Sequence, residues 1–328
     1  MKQWRLFVQL AVTAAIAPAA ALQPAAAADA FPSKPVVIIV PHQSGSTTET
    51  FGRMLTAEMS AKLGQPIVIE SRSGAAGTIG AHFVANSKAD GYMGLMNASI
   101  QVMYPGMFRK MSFDPVKDFT PVGVFGFAPM VVVVSAQSPI KSFQDMVARA
   151  KAKPKSLTFA SGGLGSLPHL VGELVNLSTG AQITHIPYNG TGQATTDVLG
   201  GHVDVLYASV ASAVPLITSG KMRALAVTSA KRIDLLPDVP TIAESGIAGF
   251  DVTSWYGYWV PKGTPAAVVD TLNQSMLDAS AMPVVQERLK QNGIIASTMN
   301  ARQFADFVQS ESAKWLDVMK RANVQPVN

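Results

Sequence analysis

Short β-branched runs alternate with stretches of helical spacing along most of this chain. Val36–Val40 is a compact aliphatic run suited to a strand buried on both faces. After it, Phe51, Met54, Leu55, Met59 and Leu63 recur at helical spacing, and Gly64 supplies the stop. The pattern repeats with a strand at Ile67–Glu70, a Gly/Ala loop at Ser73–Gly77, a helix at Ile79–Ser87 and a strand at Gly91–Met96. It restarts at Val131–Val134, followed by a helix at Phe143–Ala152, a strand at Leu157–Ala160 and a helix at Leu167–Thr179. A strand at Ile183–Pro187 leads to a helix at Ala194–Leu199 that ends on Gly200-Gly201. Strands at Val203–Tyr207 and Ala224–Thr228 and helices at Pro265–Ala279 and Ala301–Arg321 complete the series. Such alternation predicts parallel α/β sheets. A single doubly wound domain would need an unusually wide sheet, so two α/β lobes are expected. The restart near Val131 and the return at Trp255 predict two crossings between them, near Gly126–Met130 and Asp251–Trp255.

The first residues change the picture of where the chain works. Lys2 and Arg5 precede an apolar run from Leu6 to Leu22, and small residues fill Ala25–Ala28. This order is that of a secretory signal peptide, here 1–28, with the cut expected after Ala28 and Ala30 as the second choice. The apolar run is Ala-rich and broken by Pro18 and Pro24, which makes it a poor permanent span. Cysteine is absent, which excludes disulfides, thiolate metal sites and cysteine nucleophiles. The net charge of +5 includes the two basic residues of the leader. The mild excess left without them, with no Lys/Arg cluster, argues against a nucleic-acid partner.

Three strand-to-helix loops carry the candidate chemistry: Pro41–Thr48, Ser73–Gly77 and Ser161–Ser166. Ligands of open α/β sheets bind at the carboxyl ends of strands. A loop that opens a helix there presents free N–H groups at the positive end of the helix dipole, a ready seat for a carboxylate. Gly45, Gly77, Gly162, Gly163 and Gly165 let backbone approach a ligand closely. Ser44, Ser46, Thr47, Thr48, Ser161 and Ser166 add hydroxyls, or serve as ordinary helix caps. Nucleotide motifs of the GxxxxGK[ST] and GxGxxG types are missing, as is the GxSxG nucleophile elbow. His169 and Glu173, four apart on one predicted helix, would make half a metal site, but no further ligand lies nearby in sequence. Asp114 and Asp118 in FDPVKDF suit turn and cap duties, and Trp255–Trp259 suits either core or a crossing between lobes. No catalytic residue, cofactor or metal is expected.

With these segments in view, the chain resembles the substrate-binding receptors of tripartite tricarboxylate transporters, the Bug receptors. The resemblance runs over FPSKPVVIIVP (Phe31–Pro41), ESRSGAAGTIGA (Glu70–Ala81), DGY (Asp90–Tyr92) and FDPVKDFTPV (Phe113–Val122). It continues through FASGGLGSLPHLVGEL (Phe159–Leu174), HIPYNGTGQATTDVLGGHVD (His185–Asp204), RALAVTSAKRIDLLPDVPTIAESG (Arg223–Gly246) and WYGYWVPKGTP (Trp255–Pro265). It implies a type II periplasmic-binding-protein architecture, with one lobe over 29–128 and 253–328, the other over 129–252, and a ligand cleft between them.

The same resemblance implies a small carboxylate ligand, held by Pro41–Thr48 from the first lobe and by Ser161–His169 and Tyr188–Gly192 from the second. Tyr188 and Thr191 join the candidate contacts on that basis, though each also suits packing or capping. Two departures bear on specificity. His42 stands where the family usually has an aromatic residue, and Tyr207-Ala208-Ser209 stands where Phe-Asp-Asn is common. Ala208 offers no partner to a ligand ammonium, and His42 adds a potential donor, so a dicarboxylate without an amine is expected, aliphatic or aromatic. The implied partner is a membrane permease of the tripartite type, or else a sensor kinase, with the receptor itself a monomer. A periplasmic hydrolase would need a nucleophile–base pair that the sequence does not signal.

Overall fold

The computed structural model describes residues 31–326, so the expected signal peptide and its cut lie outside the described residues. The first segment holds β1 (Val36–Val40), α1 (Thr47–Leu63), β2 (Ile67–Ser71), α2 (Thr78–Ala85) and β3 (Met93–Ala98), in the predicted alternation. β1 lies between β2 and β3, parallel to both. Its VVIIV run is almost wholly buried because neighbours cover both faces. Ser46 caps α1 by accepting the Glu49 N–H, and Gly64 ends the helix at φ 66°, a conformation that costs a residue without Cβ little.

A short α3 (Tyr104–Met107) precedes β4 (Phe119–Ser135). Sequence spacing pointed to a strand only from Val131, yet β4 runs through 17 residues. Pro121, Gly123, Gly126 and Pro129 mask a stretch that is otherwise apolar and β-prone. The masking residues mark the irregularities, with register shifts against the partner strand at Pro121/Gly123 and Val124/Gly126.

The middle of the chain gives α4 (Phe143–Ala152), β5 (Thr158–Ser161), α5 (Leu167–Thr179), β6 (Thr184–Pro187) and α6 (Thr191–Leu199). It then gives β7 (Val205–Ser209), α7 (Val210–Thr218) and β8 (Met222–Val227). The last part holds β9 (Thr253–Pro261), α8 (Ala266–Ser280), α9 (Pro283–Gln291), β10 (Ile295–Ala296) and α10 (Ala301–Arg321). The hydrogen-bonded path is β2-β1-β3-β9-β4-β7-β5-β6, with β8 and β10 also paired to β4. Phe119–Pro129 of β4 pair with β9, whereas Met130–Ser135 pair with β7 and β8. Two groups of parallel strands, β2-β1-β3 and β7-β5-β6, therefore sit at opposite ends of a path that passes through β4. The aromatic run Trp255–Trp259 is core: Trp255, Tyr258 and Trp259 are fully buried on β9. Among the described residues no helix is long and apolar enough to cross a membrane.

Candidate functional site

Helix starts follow parallel strands repeatedly, among them α1 after β1, α5 after β5, α6 after β6 and α7 after β7. Because β7, β5 and β6 are neighbours running the same way, the starts of α7, α5 and α6 line one edge of that group. Each helix leaves N–H groups in its first turn that its own ladder cannot satisfy. Ser46 takes only the Glu49 N–H of α1, at 3.4 Å, and Ser209 only the Ser212 N–H of α7, at 3.3 Å. Among the described residues the N–H groups of Thr47, Thr48, Val210 and Ala211 meet no acceptor. No side chain caps α5 or α6, since Ser166 Oγ donates instead to Gly163 O at 2.7 Å and Gly190 precedes α6.

The first loop differs from its sequence expectation at Gly45. Its N–H donates inward to Glu49 Oε2 at 2.9 Å and so is not offered to a ligand. That carboxylate also receives Arg53 Nε at 2.8 Å and Ser71 Oγ at 3.1 Å. Arg53, followed by the Gly45 N–H, holds its pKa down at about 2. The second loop repeats the arrangement. Gly165 N–H donates to His169 Nδ1 at 3.0 Å, which corrects the same expectation for Gly165. In both cases the sequence is Gly-Ser-x-x followed by an acceptor, Glu49 or His169, and that side chain reaches back past the Ser cap to the glycine. This is a shifted form of the reciprocal bond in a capping box. Gly165 also packs its bare Cα near Met107, whose Cγ would lie 2.8 Å from an added Cβ.

His42 is not the expected donor to a carboxylate. Its Nε2 lies 2.9 Å from Asn97 Oδ1, an oxygen that also accepts the Ala98 N–H. Asn97 Nδ2 faces Gln101 Oε1 at 2.9 Å, which fixes the amide orientation and places the imidazole proton on Nε2. Burial lowers the His42 pKa more than the Asn97 bond raises it, so Nδ1 of the neutral ring can only accept. The same network reaches Tyr104, whose hydroxyl donates to Ala76 O at 2.8 Å. That bond pins the Ser73–Gly77 loop, where Ala75 and Ala76 take φ of 45° and 53°.

The remaining candidates fall into three groups. Ser44, Gly45, Thr47 and Thr191 are exposed, and Ser46, Gly162 and Ser166 are half-buried, with Thr191 Cγ2 only 3.3 Å from where a Gly162 Cβ would be. Thr48 is buried on the core side of α1, and Ala208 belongs to an apolar cluster with Val131 and Leu206, so neither side chain is presented to a ligand. Tyr188 gives its hydroxyl to Asp197 Oδ2 at 2.7 Å, which makes it a brace for α6. Ser161 is fully buried, with its Oγ 2.6 Å from His185 Nε2. This is a formal nucleophile–base contact, but the hydroxyl also lies 3.0 Å from Gly163 O and is closed to a substrate. His169 and His185 stack at 3.9 Å. Burial brings their pKa values down to about 4 and about 3, the latter helped by the neighbouring ring. His169 Nε2 lies 3.8 Å from Glu173 Oε1, beyond direct hydrogen bonding.

A cavity of about 310 Å³ joins the start of α1 to the start of α7. Gly45, Thr47, Pro129, Ser209, Ser212 and Asn292 are among its walls, and no acidic or basic side chain lines it; Tyr256, whose pKa burial pushes up to about 12, stays neutral. The α7 contribution was missed in the sequence, because Pro215 inside the helix disguises it. The only sequence signal there is Ser209, placed as an N-cap directly after an apolar strand. A larger cavity, about 490 Å³, lies apart from all these loops, between the Ser229–Arg232 turn and α10.

A mixed α/β chain whose two strand groups share a long strand and turn helix starts toward one another has the two-lobe periplasmic-binding fold, the fold of solute-binding receptors. Residues 51–324 match the tripartite tricarboxylate transporter family receptor, and the chain belongs to that family. The periplasmic binding protein BugD is 35% identical, with a TM-score of 0.76 over 90% of this chain and 100% of BugD. An R. palustris protein solved with adipate is 34% identical, with a TM-score of 0.79 over 90% of this chain and 100% of its own. MatC from Rhodopseudomonas palustris, solved with malate, is 33% identical, with a TM-score of 0.74 over 88% and 99%.

Proposed function

We propose that this protein is a periplasmic receptor that captures a small dicarboxylate between two lobes and delivers it to a tripartite-type membrane permease. The observation that carries the reading is the cavity between α1 and α7, where unoccupied N–H groups and hydroxyls line the walls and no side chain is charged. Such a site suits an anion through helix-start donors. It gives an ammonium no partner, and an unpaired buried charge is costly, so amino acids are disfavoured. Thr47 and Ser209 are the hydroxyls assigned to the ligand, joined by Thr191 at the start of α6; Ser166 and Ser212 give their protons to Gly163 O and Ser209 O instead. Adipate and malate in related receptors support a ligand with two carboxylates. The lobes are 29–128 with 253–328, and 129–252, with β4 as one crossing; closure follows from a ligand that contacts both.

Titration calorimetry against acetate, malate, adipate, phthalate, citrate and aspartate tests this reading. A dicarboxylate should bind at least tenfold more tightly than acetate or aspartate. Tightest binding of aspartate, or equal binding of acetate and the diacids, would contradict it.

A further inference from the structure

A cavity of about 490 Å³ shares no lining residue with the candidate ligand site. Its floor is aromatic: Phe127 of β4 and Phe307 of α10 meet edge to face at 5.8 Å, and Trp255 packs behind Phe307 at 5.3 Å. Met299 extends the apolar wall. Three cations and two carboxylates surround this floor, and most of that charge is already engaged. Arg232 pairs with Glu244 at 3.0 Å. Lys314 pairs with Glu311 and lies 5.0 Å over the Trp315 ring, while Glu311 also accepts both indole N–H groups. Asp251 accepts the Ala230 N–H at 3.0 Å. Lys231 alone among these cations has no carboxylate within ion-pair distance in the described residues.

An apolar aromatic floor beneath one uncompensated ammonium is complementary to a hydrophobic monoanion. We propose that this cavity is a second binding site, selective for an aromatic monocarboxylate. The ring lies on Phe127, Phe307 and Met299, and the carboxylate meets Lys231. A second carboxylate finds Asp251 and Glu311 instead of a donor, which separates this site from the dicarboxylate site in both chemistry and place. The cavity draws its walls from the Ser229–Arg232 turn after β8 and from β4, β10 and α10, so its occupant bridges both strand groups.

The probe is 4-bromobenzoate. Its bromine scatters anomalously and quenches indole fluorescence, so Trp255 reports on the site in solution. Titration should quench tryptophan fluorescence saturably, and crystals grown with the probe should show bromine beside Phe127 and Phe307. Lys231 is exposed, so Lys231→Glu keeps the fold; it should weaken the probe at least tenfold, and 4-bromobenzylamine should not bind the wild type. Bromine found only elsewhere, unchanged affinity in Lys231→Glu, or no saturable quenching at millimolar probe each overturns the assignment.

Discussion

At the scale of single residues, the glycines that look most like ligand donors are engaged by their own helices. Gly45 and Gly165 were legible as places where backbone comes close to something. What they approach is set by side chains four residues on, Glu49 and His169, and by Met107 from far along the chain. Local sequence carries the first relation once the Gly-Ser-x-x-acceptor pattern is seen, but it carries nothing of the second. The same residues predict an acid response. His169 and His185 have folded pKa values of about 4 and about 3, and His42 is lowered too. As pH falls below about 6.5 the unfolded chain binds protons that the folded chain refuses, so stability is lost, at up to about 1.4 kcal/mol per pH unit for each such group. Glu49 extends the loss below its ordinary value of 4.5, whereas Glu173, raised by burial, opposes the loss above that value. His185→Gln keeps a polar partner for Ser161 and removes one titrating group. Urea unfolding should then show a fall in stability between about pH 6 and pH 5 that is shallower by about one proton. Identical slopes in the two proteins would show that His185 titrates normally.

Elements with clean periodicity are legible in the sequence. The limits of α5 and α10 agree with the sequence reading, because Pro, Gly and Asn caps bracket amphipathic runs. The pattern shows less than half of β4 and none of α7, for one reason: proline and glycine inside an element are tolerated where tertiary neighbours supply the missing stabilisation. Long-range ties of that kind also anchor α10. Glu311 accepts Trp255 Nε1 of β9 at 3.2 Å and Trp315 Nε1 at 3.0 Å, and both indoles are fully buried. Glu311→Ala strands two buried donors and should cost about 2–4 kcal/mol in urea unfolding. Glu311→Gln keeps an acceptor oxygen and should cost clearly less. Equal losses in the two variants would mean that packing, and not the paired indole bonds, fixes α10 against β9.

For the whole molecule, the proposed closure of the lobes gains a specific contact where the turn after α9 meets the other lobe. Lys290 and Asp234 form an ion pair at 3.1 Å across the proposed lobe boundary, but both are well exposed, so the pair is worth only about 0–1 kcal/mol. Gly293 in the same turn is the tighter restraint. A Cβ added there would lie 3.1 Å from both Leu235 Cδ1 and Val210 Cγ1, so the surfaces fit with little room to spare. Such close-packed contacts resist added volume at about 1–3 kcal/mol. Leu235 does not line the cavity assigned to the ligand, which makes it a lever on closure alone. Leu235→Trp should hold the lobes apart and weaken the tightest-binding dicarboxylate by about tenfold or more. Thermal stability without ligand should change far less, since a half-buried rim residue is involved. Asp234→Asn, which removes only the exposed pair, should shift affinity less than fivefold. Small-angle scattering with saturating ligand adds the geometric readout: the wild type should contract, and Leu235→Trp should stay expanded. Undiminished affinity together with wild-type contraction in Leu235→Trp would show that ligand capture does not require this turn to seat against the second lobe.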